Sequence, residues 1–214
     1  MAVVDALRRE YSSAELIEQE APADALELFA SWYEAACRSS EIIEPNTMVL
    51  ATVDGSGQPA ARAVLLKSFD HNGFVFVTNY QSRKGKEISD NNRVAAAFVW
   101  NALERQVRIE GRAVQLTAEQ SDQIFAARPR GAQLAAHASR QSTELQNRAQ
   151  LDQLYLEAVE KFGKEDVSRP SAWGGYAIRP ERIEFWQGRA NRMSDRLLYS
   201  RTVDGNWQRS RLAP

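Results

Sequence analysis

RAVLLKSFDHNGFVFVTNYQSRK, residues 62–84, decides the fold. Its two apolar runs, Val64-Leu65-Leu66 and Phe74-Val75-Phe76-Val77, have the β-branched and aromatic content of strands, and Asp70-His71-Asn72-Gly73 between them has the character of a hairpin connection. Arg62 and Lys67 bracket the first run; Arg83 and Lys84 follow the second. Basic residues beside strands commonly form a solvated rim. In this spacing they also suit an anion of phosphate size, with Ser82 and the first amides of a helix over 82–90 completing the hole.

Outward from the hairpin the two-residue period continues. Residues 47–53, 60–67, 74–79, 93–100 and 104–116 read as strands, with turns at Asp54-Gly55-Ser56-Gly57 and at 70–73. Four more are expected at 175–179, 182–186, 197–202 and 206–211, after the linker KEDVSRPSAWGG. Residues 3–11 carry a short charged helix signal. A helical pattern opens at Pro22-Ala23-Asp24, with Leu26, Phe29, Trp32, Tyr33, Ala36 and Cys37 on one apolar face. A second runs from Thr117, with Gln120 at the capping-box position, to about Ala127. Gln133 to Ala138 is a short helix or coil, and 144–162 is a longer helix with Leu145, Leu151, Leu154, Tyr155, Ala158 and Phe162 on its apolar side. The helices lie outside the run of strands rather than alternating with it. That argues against a doubly wound sheet and for a mainly β (α+β) barrel with peripheral helices. A single domain over 1–214 is expected, with an N-terminal helical arm at about 1–45 and a C-terminal strand segment at about 173–214 completing it.

The chain has 214 residues, 43% of them hydrophobic, and a formal net charge of -1, enough for an ample core and no invitation to a nucleic-acid backbone. No apolar run reaches membrane-spanning length, and MAVVDALRREY turns charged too soon for a secretory signal, so a cytoplasmic protein with no membrane partner is expected. Cys37 is the only cysteine and is expected to sit inert in its helix; His71 and His137 are the only histidines. These counts exclude an internal disulfide, a thiolate metal cluster and a three-histidine metal site, and no metal is expected.

Neither G-x-G-x-x-G nor the P-loop motif occurs, so any phosphate must be held by side chains. Arg62, Lys67, Arg83, Lys84 and Arg196 are candidates, with Ser142 as a neutral donor. A guanidinium meets phosphate as a planar fork, whereas an ammonium acts as a mobile point charge. Trp186, Gln106 and Gln141 are of the kind that flank a planar heterocycle, although Trp186 equally suits ordinary packing.

The chain resembles the FMN-dependent pyridoxamine 5'-phosphate oxidase family over essentially its full length. The resemblance is carried by LRREY at 7–11, PADALELF at 22–29, MVLATVDGSGQPAARAVLLK at 48–67, TNYQSRKGKEI at 78–88 and LERQVRIEG at 103–111. It continues through RPRGAQ at 128–133, RQS at 140–142, WGGY at 173–176, IEFWQGRANR at 183–192, DRLLY at 195–199 and the terminal RLAP. It implies an FMN-binding split barrel, and a homodimer with two FMN sites in the subunit interface, each built from both chains. It also implies flavin contacts at Arg62, Ala63, Val64, Leu65, Leu66 and Lys67, at Val77 and Thr78, and at Arg83 and Lys84 on the phosphate. Gln106, Gln141, Ser142, Trp186 and Arg196 complete that set.

The substrate side departs from the family pattern. Members that form pyridoxal phosphate resemble one another in holding the substrate phosphate with a Lys, a Tyr, an Arg and a Ser, and the ring with an Arg-x-His pair. Here Lys67 and Arg128 remain, but the tyrosine position is Ile124, the serine position is Ala132, and the pair reads Arg192-Met193-Ser194. The usual Gly-Ala-Trp has become Ala135-Ala136-His137. Losing two hydroxyl donors to an ionised group removes ~1.5–3 kcal/mol each if nothing replaces them. Arg128, Arg192 and Arg189 suit a flat molecule bearing carboxylates, and SRQSTELQN at 139–147 is similar to the phenazine-biosynthetic flavin oxidases of this fold. Arg8 and Tyr11, with Arg9, are candidates to close over the guest. The expected function is therefore an FMN-dependent oxidase of a partly reduced phenazine carboxylate, with O2 as acceptor. The alternatives are a pyridoxamine or pyridoxine 5'-phosphate oxidase and a non-catalytic flavin-binding protein. No side chain is assigned as catalytic; His137 is either a replacement polar group or a packed residue.

Overall fold

In the computed structural model, which describes residues 10, 11 and 14–214, the hairpin forms as read. Strands β1 (Thr47–Val53), β2 (Pro59–Asp70), β3 (Gly73–Asn79), β4 (Arg93–Trp100) and β5 (Arg105–Gln115) precede β6 (Trp173–Gln187), β7 (Asp195–Arg201) and β8 (Trp207–Arg211). They are hydrogen-bonded in the order β3-β2-β1-β4-β5-β6-β7-β8, and β3 also pairs with β6, so six strands close into a barrel. Around them lie α1 (Ala25–Arg38), α2 (Arg83–Asp90), α3 (Ala118–Ala126), α4 (Arg130–Ala138) and α5 (Arg148–Phe162). This is the mainly β barrel with peripheral helices; closure pairs the β3 edge, and β8 remains the edge strand of the sheet. Among the described residues no helix is long and apolar enough to cross a membrane.

The β2–β3 hairpin ends at the pair Asp70 and Gly73. Asp70 Oδ1 accepts the Asn72 N–H at 2.7 Å, and Gly73 takes φ +129°, where an added Cβ would fall 2.3 Å from the Ile178 carbonyl oxygen. Leu66 pairs with Phe76 but Ser68 pairs with Val75, so Lys67 is the extra residue of a β-bulge.

The described chain gathers into two units. The first comprises Met1–Leu50, Ala95–Gly111 and Pro180–Pro214. There Asp24 caps α1 by accepting the Leu26 N–H at 2.8 Å, and the apolar face of the helix packs Phe29 on Phe98 and Trp32 edge-on against Phe185. Arg211 of β8 donates to Glu18 Oε2 and the Leu16 carbonyl, both at 2.8 Å, and to Asp195 Oδ1 at 2.7 Å.

The second unit comprises Ala51–Val94 and Arg112–Arg179. Its helical side is a core of Phe125, Leu134, Ala138, Ala158, Val167 and Trp173. The expected capping box forms at Thr117 and Gln120. Several boundaries differ from the sequence reading; β2 runs on to Asp70 rather than ending at 67, and β7 starts at Asp195 rather than 197. The strands expected at 175–179 and 182–186 are one continuous β6, because Pro180 falls between the ladder to β3, which ends at Ile178, and the ladder to β7, which starts at Arg182. The coil or helix at 133–138 begins at Arg130, directly after Pro129. The helix expected from 144 begins at Arg148, where Asn147 accepts the Gln150 N–H at 3.0 Å, leaving Leu145 outside it and exposed. The charged signal at 3–11 lies almost wholly outside the described residues.

Candidate active site

A cavity of about 910 Å³ opens in the second unit. One wall comes from Ala63, Val64, Leu65 and Lys67 of β2 with Val77 and Thr78 of β3; Lys84 and Gln141 complete it. Ile124, Ala127, Arg128, Ala132, Ala135 and Ala136 form the other, and Trp173 also lines the space. Two groups of candidates that are far apart in sequence, the flavin strand and the substrate helix positions, therefore share one cavity. Strand alternation puts Leu65 and Lys67 on the cavity side while Leu66 is buried in the core, and the bulge interrupts that alternation at Lys67, so that Ser68 lines the cavity beside it.

At the corner where a phosphate is expected the chain turns from β3 into α2. Ser82 is fully buried and caps the helix, accepting the Gly85 N–H at 3.3 Å. Gly85 is required by the close turn, since a Cβ there would lie 2.2 Å from the Tyr80 carbonyl oxygen. Lys84 is buried, yet among the described residues its Nζ donates to neutral oxygens alone, Thr78 Oγ1 at 3.2 Å and Gln141 Oε1 at 3.1 Å. Burial, and then the charge of Arg62, pull the ammonium below its usual pKa, while Glu87 acts in the opposite direction.

Glu87 is the residue the sequence reading missed. It is 4% exposed and accepts from Thr52 Oγ1 at 2.5 Å, Arg83 Nε at 2.7 Å and Arg62 Nη2 at 2.9 Å. Arg62 also donates to the Thr52 hydroxyl. Burial opposes the Glu87 carboxylate, but the bonds from Thr52, Arg83 and Arg62 outweigh it and hold the carboxyl below its ordinary range. The available signal was the four-residue spacing of Arg83 and Glu87 on one helix face.

This donor set fits a phosphate dianion. Three cations and one carboxylate leave a net charge of two, a helix N-terminus faces the corner, and a buried ammonium has only neutral partners, a state that burial penalises until an anion joins it. The phosphate end of FMN supplies such a dianion.

The second wall carries a different kind of charge. The Arg128 guanidinium lies 4.7 Å from the Trp173 ring centroid and 5.8 Å from that of Phe125. Burial lowers its pKa, though an arginine keeps its proton. Among the described residues it has no carboxylate partner, and the same holds for Lys67. Ile124 packs against the helical core and offers no donor. His137 is a packed residue: its Nε2 lies 2.7 Å from the Ser168 carbonyl oxygen and its ring 4.6 Å from Phe162.

The other candidates lie as follows. Ser142, in the second unit, is exposed and takes φ +70°. In the first unit, Trp186 meets the edge of Tyr11 at 5.8 Å, and Gly188 leaves room for that ring, since a Cβ there would lie 2.7 Å from Tyr11 Cγ. Arg196 donates to buried Glu184 at 2.8 Å, and Gln106 lies half-buried on β5. Arg192 is exposed with φ +61°, beside Asn191 at +55°, while Ser194 is buried. Arg189, expected to face a guest carboxylate, is instead engaged by Glu15 at 2.7 Å and Asp195 at 3.5 Å. Arg8 lies outside the described residues.

The barrel and its anion corner define an FMN-dependent oxidoreductase of the split-barrel class. Residues 34–161 match the family model described as pyridoxamine 5'-phosphate oxidase, and residues 173–214 match the pyridoxine 5'-phosphate oxidase C-terminal dimerisation region. A pyridoxine/pyridoxamine 5'-phosphate oxidase of Rubrobacter xylanophilus is 54% identical over 208 residues, 97% of this chain and 95% of its own. One from Pseudomonas paraeruginosa is 48% identical over 97% of both chains. The crystal structure of PhzG from Burkholderia lata in complex with tetrahydrophenazine-1-carboxylic acid superposes with a TM-score of 0.87 at 27% identity, covering 95% of this chain and 100% of that one. The chain belongs to the pyridoxamine 5'-phosphate oxidase family and is an FMN-dependent oxidase of that superfamily.

Proposed function

We propose that the chain oxidises pyridoxine and pyridoxamine 5'-phosphate, with dioxygen as the electron acceptor, and works as a homodimer. The observation that carries this reading is the pair of cations, Lys67 on its bulge and Arg128 over Trp173, lining one cavity without carboxylate partners among the described residues. A phosphomonoester supplies the charge that both await. The curated relatives bear this activity in their names at far higher identity than PhzG, so the preference moves from the phenazine carboxylate to the vitamin phosphate. The match to a dimerisation region supports the homodimer.

In this reading Arg62, Arg83, Lys84 and Ser82 hold the FMN phosphate, and Thr78, Gln141, Ser142, Gln106, Trp186 and Arg196 contact the rest of the cofactor. FMN supplies the two-electron acceptor; the protein binds, orients and excludes water. Lys67 and Arg128 hold the substrate phosphate, and Arg192 and Ser194 belong to the substrate side. The carbon bearing the amine or alcohol loses two electrons and becomes an aldehyde, with the amine nitrogen leaving as ammonia after hydrolysis, and dioxygen ends as peroxide.

A reduced phenazine carboxylate is the second reading, favoured by the wall of Ile124, Ala127, Ala132, Ala135 and Ala136, which offers a flat ring apolar contact, with the Ser139 hydroxyl only at its end. Anaerobic mixing separates the two. Bleaching of the visible flavin band by pyridoxamine 5'-phosphate supports the first reading, and bleaching by a dihydrophenazine carboxylate alone overturns it. Bleaching by neither leaves a flavin-binding protein without turnover.

A further inference from the structure

We propose that Glu87 is a positioning residue of the flavin phosphate site, a buried carboxylate that fixes Arg62 and Arg83 in the orientation and charge balance that a phosphate dianion requires. The inference rests on the reading of this corner as the FMN phosphate site. Both carboxylate oxygens are used: Oε1 takes Arg83 Nε at 2.7 Å, and Oε2 takes Arg62 Nη2 at 2.9 Å and the Thr52 hydroxyl at 2.5 Å. The donors come from three separate elements, β1, β2 and α2, so one side chain sets the mutual placement of the two guanidiniums. Arg62 is gripped through both terminal nitrogens, Nη2 by Glu87 and Nη1 by Thr52 and the Ala60 carbonyl, which allows its planar fork one orientation.

The charge argument points the same way. Without a carboxylate, two guanidiniums and a buried ammonium repel one another in one corner; Arg62 already weakens the hold of Lys84 on its proton, and Glu87 opposes that effect. The carboxylate is 4% exposed, so its influence is little screened by solvent. It leaves two net positive charges for a dianion.

The test is Glu87→Gln, titrated as apoprotein with FMN and, separately, with riboflavin, which has the same ring and no phosphate. The expected result is a loss of FMN affinity of about tenfold or more with riboflavin affinity held within about twofold. In the Glu87→Gln, Arg83→Met double variant the losses add to less than the sum of the singles, because both act through one contact. An equal loss for both flavins marks Glu87 as a general structural salt bridge and overturns the proposal, as does unchanged FMN binding. Should Glu87→Gln fail to fold, Glu87→Asp keeps the charge but shortens its reach, and a smaller loss confined to FMN is expected; a loss shared with riboflavin overturns the proposal. Wild-type protein that binds riboflavin as tightly as FMN would sink the phosphate corner itself. Substrate identity enters none of these readouts.

Discussion

Around Thr78, Ser82, Arg83 and Lys84 each polar side chain is held by another before any guest arrives, whereas along α3 and α4 the cavity that Thr78 and Lys84 also line is walled by Ile124, Ala132 and further alanines, with Arg128 supplying the charge. The first region depends on charges locked by a buried carboxylate, and few substitutions there would keep the balance. The second is set by packing against Phe125 and Leu134, where side chains can change size or lose a hydroxyl without disturbing the barrel. If the proposed reading holds, cofactor retention and substrate choice are set by different side chains, and substitutions in the two groups should add.

The strongest way to break that separation is Lys84→Met. Removing a buried, charge-assisted donor should weaken FMN binding by about 2–3 kcal/mol, roughly 30- to 150-fold, read by flavin fluorescence titration. Next is Arg128→Ala, expected to raise the KM for pyridoxamine 5'-phosphate by about tenfold or more while leaving the FMN dissociation constant unchanged. A parallel fall in FMN affinity would show that the two walls are one unit. Ile124→Tyr and Ala132→Ser, which supply the hydroxyls of the family pattern, should each lower that KM by about tenfold, at the lower end of the ~1.5–3 kcal/mol of a hydrogen bond to an ionised group. If both substitutions leave it unmoved, the phosphate is not held at that wall.

The smallest effect is in acid. The folded state holds the Glu87 carboxyl below its ordinary value of 4.5, so its contribution to stability is present above that pH and is lost as pH falls through the depressed folded value. The difference in melting temperature between wild type and Glu87→Gln should be widest near neutrality and close on acidification. A gap that persists in strong acid would mean that shape, not charge, is what Glu87 contributes.

Strand positions were legible because alternation is a local property: β1, β3 and β4 begin and end within a residue of where Thr47, Phe74 and Arg93 place them. The basic cluster was legible for the same reason. The bulge at Lys67 was not, because register belongs to two strands and leaves no mark in one. Glu87 lay in plain sight within SRKGKEI, but its burial depends on β1 and β2 supplying Thr52 and Arg62. Arg189 read as a free cation because Glu15, its partner, is distant in sequence. The strands read at 175–179 and 182–186 are one β6, because the gap between them is where the strand changes partner from β3 to β7. On the substrate side, the departures at Ile124 and Ala132 and the retained Arg128 were visible, but the stacking of Arg128 on Trp173 was not.

The three-way grip on Arg211 also makes the end of the chain self-guarding. An arginine-directed protease needs that guanidinium for its own specificity pocket, and here it must first be taken from Glu18, Asp195 and the Leu16 carbonyl. Residues near the start of the chain thus help to shield a cleavage site near its end, and cutting after Arg211 reports release of both the Leu16–Glu18 segment and the end of β8 from β7.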